Sequence, residues 1–348
     1  MKHKLILFVS GLFICSCSGF NSNNQLNTDT SASRGHLIYS NDLSNAITAF
    51  IPSVVEVFCL MEYDVEHYFY NLSSGKHIAD ESSPTHYQLK SENGIFYDKK
   101  NFRAYGGGMI IGATDTEYLI LTSRHIVNHA DTLINYIKEE GKNTDVPRMR
   151  AFLKRIRFAA RGQRLSVVKT ARVLAGDARA DLALISVNRR GNIGKVFKGG
   201  VIQNMENVWG SLAVIAGYPS EILQVAMGLT SAAPYPGNFS LDINGTFGYS
   251  GGPVFLFDAT GGLSFAGIGR SIPGKRVFHV APDSTLQFAT KLLPADIGRL
   301  QVEEVPVFGA ARMYAVDMRF ITRFLTEAMP DLRKKGFVLS KGFENLLD

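Results

Sequence analysis

Gly248-Tyr249-Ser250-Gly251-Gly252-Pro253 runs straight into the apolar stretch Val254-Phe255-Leu256-Phe257. Three glycines within five positions flank one serine hydroxyl. Glycine permits positive φ and the close approach of another backbone. A tight turn here can therefore aim the N–H groups of Gly248 and Ser250, with Tyr249 between them, at one spot beside the serine. Acyl transfer needs such donors, because negative charge develops on the carbonyl oxygen in its transition state. An ordinary glycine turn between two strands would have the same composition. A serine hydroxyl is a poor nucleophile without a base, so the rest of the chain must supply a histidine and a carboxylate.

Upstream, Tyr118-Leu119-Ile120-Leu121-Thr122-Ser123-Arg124-His125 places a histidine just beyond an apolar run, where a strand leaves the core. The glycine-rich stretch Gly106–Gly112 precedes it, and the two runs read as a hairpin. Asp181 opens another apolar run, Leu182-Ala183-Leu184-Ile185-Ser186-Val187. A half-buried carboxylate there is costly unless hydrogen-bonded, and an imidazole N–H suits it. Asp177 is the competing carboxylate, placed in the exposed turn before the strand. The order His125, Asp181, Ser250 is one of the known arrangements of a nucleophile, its base and its orienting acid.

The chain has 348 residues, 45% of them hydrophobic, enough for one large or two small domains. Its 33 glycines and frequent strand formers favour a β-rich protein. Short strands separated by turns are read at 52–58, 106–112, 118–123, 182–187, 214–219, 223–230, 263–270 and 277–280. The fold class expected is all-β, a barrel or sandwich, with a helix at 41–50. A second helix starts at the N-cap Asp317 and stops before Pro330. The net charge of +6 does not by itself argue for nucleic acid, and none is expected as a partner.

Six segments in order resemble the trypsin-like serine peptidases, and within them the bacterial HtrA/Deg branch. They are Pro52-Ser53-Val54-Val55, Gly106–Gly112, Leu121–Val127, Ala180–Ile185, Ala216-Gly217-Tyr218-Pro219 and Gly248–Pro253. The resemblance covers roughly residues 45–290 and implies two six-stranded antiparallel β-barrels of the chymotrypsin-like kind; the peptidase domain is read over 41–310, with a helical extension at 311–348. It implies Ser250 as nucleophile, His125 as base and Asp181 as its orienting group, with backbone N–H groups of residues 248–250 as the oxyanion hole. It further implies that Gly269, Arg270 and Ser271 pair with substrate backbone, and that Asn244 floors the specificity pocket. No cofactor is called for. About 50 residues follow position 298, too few for the PDZ domain usual in that branch. Tyr249 stands where digestive members carry an aspartate that pairs with a newly cut N-terminus, so something else must shape the oxyanion hole.

At the N-terminus, Lys2 and Lys4 precede the apolar run Leu5–Ile14, which reads as a signal peptide over 1–17. Ile14-Cys15-Ser16-Cys17 resembles the bacterial lipobox, with Cys17 the lipidated residue; ordinary cleavage nearby is the alternative. Residues 18–40, rich in Ser, Asn and Thr, read as a flexible linker. Together these place the protein in the bacterial cell envelope, anchored by lipid. Cys59, inside an apolar run, reads as a buried structural thiol. Residues 61–103 read as a surface loop or hairpin insertion. Its His67, His77 and His86 match no compact metal motif, so no metal is assigned.

The insertion at 138–172 carries Arg148, Arg150, Lys154, Arg155, Arg157, Arg161, Arg164, Lys169 and Arg172, and reads as a basic amphipathic helix. The leading expectation is an exported serine endopeptidase acting on protein or peptide substrates. The alternatives are a catalytically silent module or chaperone of the same fold, and a polyanion- or membrane-binding lipoprotein using the basic segment.

Overall fold

The structure is a computed structural model, and it describes residues 40–348 apart from 71, 74–75, 78–94, 140–141, 164–166, 204, 206–207, 258–261, 283–299 and 309–311. The signal peptide, Cys17, His86 and nearly all of the linker lie outside the described residues. After helix α1 (Ser40–Phe50), the chain builds a first barrel from β1 (Val54–Tyr68), β2 (Ile95–Ala113), β3 (Glu117–Ser123), β5 (Lys142–Arg161), β6 (Val168–Asp177) and β7 (Leu182–Asn188). The order β1-β2-β3-β7-β6-β5 is antiparallel throughout and closes through the β1–β5 pair. Strand β4 (Thr132–Glu139) adds to the outer edge of β5.

A second barrel uses β8 (Leu212–Gly217), β9 (Gln224–Ala232), β10 (Asn238–Leu241), β11 (Pro253–Phe257), β12 (Leu263–Ser271) and β15 (Met313–Asp317). Its order is β8-β9-β10-β15-β12-β11, again closed and antiparallel. Closure leaves neither ring with an open edge. Between β12 and β15, β13 (Gly274–Pro282) and β14 (Leu300–Phe308) form a separate hairpin, so the strand read at 277–280 is not a barrel strand. The barrel fold runs to Asp317 rather than ending at 310, because Met313–Asp317 is its closing strand.

Alternation explains why several strands read as continuous apolar runs. Ile110, Ile120, Ala183 and Ile185 fill the interior of the first barrel. Their neighbours Met109, Ile111, Leu119, Leu121, Leu182 and Leu184 join Val214, Phe255, Phe265 and Ile268 of the second barrel in one cluster. Both faces of these strands are buried, so no polar alternation survives. The same cluster takes in Met318, Ile321, Leu325, Met329 and Leu332 of helix α3 (Met318–Lys334).

Asp317 caps α3 as expected, accepting from the N–H groups of Arg319 (3.0 Å) and Phe320 (3.4 Å). The helix does not stop before Pro330; it continues to Lys334 and buries Leu332. Its end is set by Gly336, at φ 83°, through a Schellman motif. Gly336 N–H donates to Arg333 O, and Phe337 N–H donates to Leu332 O.

The two insertions form one structure. Residues 61–68 and 95–103 form a two-stranded arm: the β1–β2 ladder continues from Leu60–Arg103 out to Tyr68–Ile95. The described residues of the 138–172 segment, which exclude Arg164, form no helix. They form the 20-residue strand β5, paired along the other edge of β1 from Glu56–Arg161 to His67–Met149, followed by the start of β6. Opposite its basic residues lie the acids of β1, with Lys154 Nζ 3.1 Å from Asp64 and Arg155 3.9 Å from Glu62. The charge run is half of a cross-strand pattern. Cys59, Met61, Tyr63, Val65 and Ala151 pack on one face of this sheet. Burial pushes the Cys59 thiol up to about 12, in keeping with an inert structural cysteine.

Candidate active site

His125 sits in the single turn α2 (Arg124–Val127), where β3 leaves the first barrel. Asp181 sits in the turn before β7, at φ 58°, a left-handed conformation that aspartate tolerates better than most residues. That conformation lets one residue grip the α2 turn at three points. Asp181 O accepts from Arg124 N–H at 2.9 Å, Oδ1 accepts from His125 N–H at 2.9 Å, and Oδ2 lies 2.7 Å from His125 Nδ1. The last contact places the imidazole proton on Nδ1 and leaves Nε2 as the basic nitrogen. Asp177, the competing carboxylate, has another task. Its carboxylate accepts from Arg179 N–H, Ala180 N–H and Arg323. Burial pushes its pKa up, but these bonds outweigh it and hold the group below the usual carboxylate range.

Ser250 lies across the cleft, and its Oγ donates to Arg270 O at 3.1 Å. Among the described residues, His125 Nε2 has no hydrogen-bond partner, so the imidazole and the hydroxyl face one cavity without being joined. That cavity, about 960 Å³, lies between the barrels. His125, Ile126 and Asp181 line it from one side; Gly248, Ser250 and Arg270 line it from the other. Phe247, Ile272, Met313 and Tyr314 make its second-barrel wall largely apolar.

The turn around Ser250 is held by backbone from both barrels. Gly107 N–H donates to Ser250 O (2.7 Å), Tyr218 N–H to Gly248 O (2.9 Å), Gly251 N–H to Gly269 O (2.7 Å) and Gly252 N–H to Tyr249 O (3.0 Å). Gly248 has a φ of 108°, and a Cβ there would lie 2.4 Å from Tyr218 O. Tyr249 N–H makes a long bond to Thr246 O, 3.5 Å. Gly248 and Ser250 N–H donate to nothing among the described residues, although Gly248 is buried. Two unspent donors at a cleft wall are what an oxyanion would need. The Tyr249 ring is buried in the second barrel, and burial raises its phenol pKa.

Arg270 and Ser271 line the cleft, whereas Gly269 spends its N–H and C=O on the Ser250 turn and on Ser123 Oγ. Arg270 also brings its Nε within 4.0 Å of Asp181 and donates to Asn238 Oδ1 at 3.2 Å. Asn244 is exposed and does not line the cleft.

Two groups of residues around the site carry roles that sequence reasoning did not assign. Gly106 and Gly107 are glycines because Cβ atoms there would lie 2.3 Å from Ser250 O and 2.6 Å from Gly252 Cα. Buried Thr122 donates to Gly107 O within the first barrel, and buried Ser123 donates to Gly269 O, joining the barrels beneath the turn. The glycine triplet was visible, but what it approaches was not.

No protein-family model matches the chain, and no curated protein matches it either. The class is therefore defined by architecture and site alone. Two closed six-stranded antiparallel barrels, compatible with a chymotrypsin-like fold, present a histidine–aspartate pair and a serine on opposite walls of one cleft.

Proposed function

We propose that this chain is an exported serine endopeptidase of the trypsin-like kind, nearest the HtrA/Deg branch in its motifs. The observation that carries the reading is the His125–Asp181 pair facing Ser250 and two unspent backbone donors across the inter-barrel cleft. In this reading Ser250 Oγ turns from Arg270 O to His125 Nε2, attacks the scissile carbonyl and loses its proton to the imidazole. His125 returns that proton to the leaving amine, while Asp181 holds the tautomer and stabilises the imidazolium. Gly248 and Ser250 N–H receive the oxyanion, each donor worth about 3 kcal/mol. Water then resolves the acyl-enzyme by the same steps. Arg270 and Ser271 supply the strand edge for substrate backbone. Lipidation at Cys17 would tether the enzyme to the cell envelope; mass spectrometry of the mature N-terminus tests that placement.

A second reading, a silent binding module, is favoured by one observation: the Ser250 hydroxyl is bonded to Arg270 O rather than to His125. Fluorophosphonate labelling separates the two. The peptidase reading expects covalent labelling of wild type and none of Ser250→Ala. Labelling that persists in the variant, or wild type that neither labels nor cleaves a casein or peptide-library substrate, sinks it.

A further inference from the structure

Glu56 is a fully buried carboxylate in a strand that is otherwise apolar at its start, Val54-Val55-Glu56-Val57, and nothing in the proposed chemistry uses it. It is bonded by Arg161, whose side chain is only 16% exposed, and by Arg103 at 3.2 Å. The same two arginines cross to the second barrel. Arg103 bonds the Glu221 carboxylate at 2.7–2.8 Å, and Arg161 reaches the Glu221 carboxylate at 3.3 Å and its carbonyl at 3.4 Å. Both guanidinium groups lie over the Phe58 ring, with centroid distances of 4.6 Å and 5.9 Å. Two carboxylates and two guanidinium groups thus form a closed network across the barrels.

The segment that the network grips is strained. Ser220 and Glu221 both have left-handed φ, 52° and 64°, a conformation that persists only where surroundings over-determine it. Just before them, Tyr218 N–H bonds Gly248 O, and the Gly248 Cα packs so closely on Tyr218 C=O and Pro219 N that no Cβ fits. Tyr218 also anchors to the first barrel, its hydroxyl donating to Val54 O at 3.3 Å. The path from Glu56 to the turn that carries Gly248 N–H is therefore continuous and short.

We propose that Glu56, Arg161, Arg103 and Glu221 are positioning residues that fix the 218–221 turn and, through it, the orientation of the Gly248 peptide at the oxyanion site. The catalytic consequence rests on the peptidase reading; the mechanical one does not. The network supplies, from inside the folded chain, the charge pair that Tyr249 cannot make.

The test compares wild type with Glu221→Gln, Glu221→Asp, Glu56→Gln and Arg103→Gln in the full chain. Lys154→Gln, which removes an ion pair on the same strands away from the turn, is the control. Two quantities are read: kcat and KM on a peptide ester, and amide hydrogen exchange of peptides spanning 216–222 and 246–252. Expected is a fall in kcat of roughly ten- to a hundred-fold in Glu221→Gln, below the 10²–10³ of outright donor loss, with KM little changed. Glu221→Asp recovers most of the rate, exchange in both peptides rises in Glu221→Gln, and Lys154→Gln changes nothing. If Glu56→Gln does not fold, the partly exposed Glu221 and Arg103 variants carry the test. A folded Glu221→Gln with wild-type kcat and wild-type exchange overturns the proposal, as does a rise in KM at constant kcat. If wild type hydrolyses nothing, the peptidase reading falls, and the exchange data still decide whether the network holds the turn.

Discussion

Asp181 shows how much one residue can settle. Its left-handed backbone lets carbonyl and carboxylate grip Arg124 and His125 together, so the fold itself orients the imidazole. Asparagine tolerates the same φ but cannot enforce the Nδ1–H tautomer. Asp181→Asn should therefore keep a melting temperature close to wild type while hydrolysis of a peptide ester slows by about 10⁴-fold; a loss of under tenfold would remove Asp181 from the mechanism. Gly107 is decided by space. A methyl group there would meet Gly252 Cα at 2.6 Å and Gly252 N at 2.8 Å, both backbone. Gly107→Ala should cost roughly 1–3 kcal/mol of stability, read as a lower urea midpoint, and should slow turnover as the Ser250 turn shifts. His125, Asp181 and Ser250 stand out in the sequence because His125 follows an apolar run, Asp181 opens one and Ser250 lies in a glycine-rich turn before one. The partner of Ser250 Oγ was not, since Arg270 O is a backbone atom twenty residues away.

Among the elements, α3 and β5 departed most from their sequence reading, for different reasons. In α3, Pro330 forfeits one backbone hydrogen bond, but stopping there would strand Leu332 and Phe337, both buried in the inter-barrel cluster. Burial won, and Gly336 set the true end. Gly336→Ala should destabilise by about 1 kcal/mol because alanine resists φ 83°. Pro330→Ala should do the opposite, restoring a donor and stabilising by up to roughly 3 kcal/mol; guanidinium melts that move in the same direction for both would refute this account of the helix end. In β5, basic residues spaced along a helix-length segment invited a helix. The deciding information was the acid run Glu56, Glu62, Asp64 and Glu66 on β1, roughly ninety residues away, which only strand pairing brings opposite.

For the molecule as a whole, stability should carry a pH signature from the inter-barrel network. Burial raises the Glu56 pKa, and the neighbouring arginines only partly offset this. A carboxyl whose folded pKa exceeds its unfolded value contributes most below the ordinary carboxylate range, and that contribution is lost as pH rises through the raised value. Urea midpoints should therefore fall less steeply with rising pH above about 4.3 in Glu56→Gln than in wild type; parallel profiles would show that Glu56 does not titrate in that window. Much of this architecture was set by local chemistry. Strand-forming runs with both faces apolar, glycines at turns and polar residues at strand ends fixed an all-β protein and set three candidate residues in order. Tertiary structure alone decided which strands close each barrel. It drew short Asn238–Leu241 and late Met313–Asp317 into the second ring, made the two-stranded arm and the basic strand one sheet, and linked Glu56 to Glu221 between the barrels through Arg103 and Arg161. The reason is physical: ladder hydrogen bonds come from backbone groups that every non-proline residue carries, so partners distant in sequence leave no local mark. The Ser250 turn belongs to both accounts, its glycines written in the chain and its shape imposed by Gly107, Tyr218 and Gly269 from elsewhere in the fold.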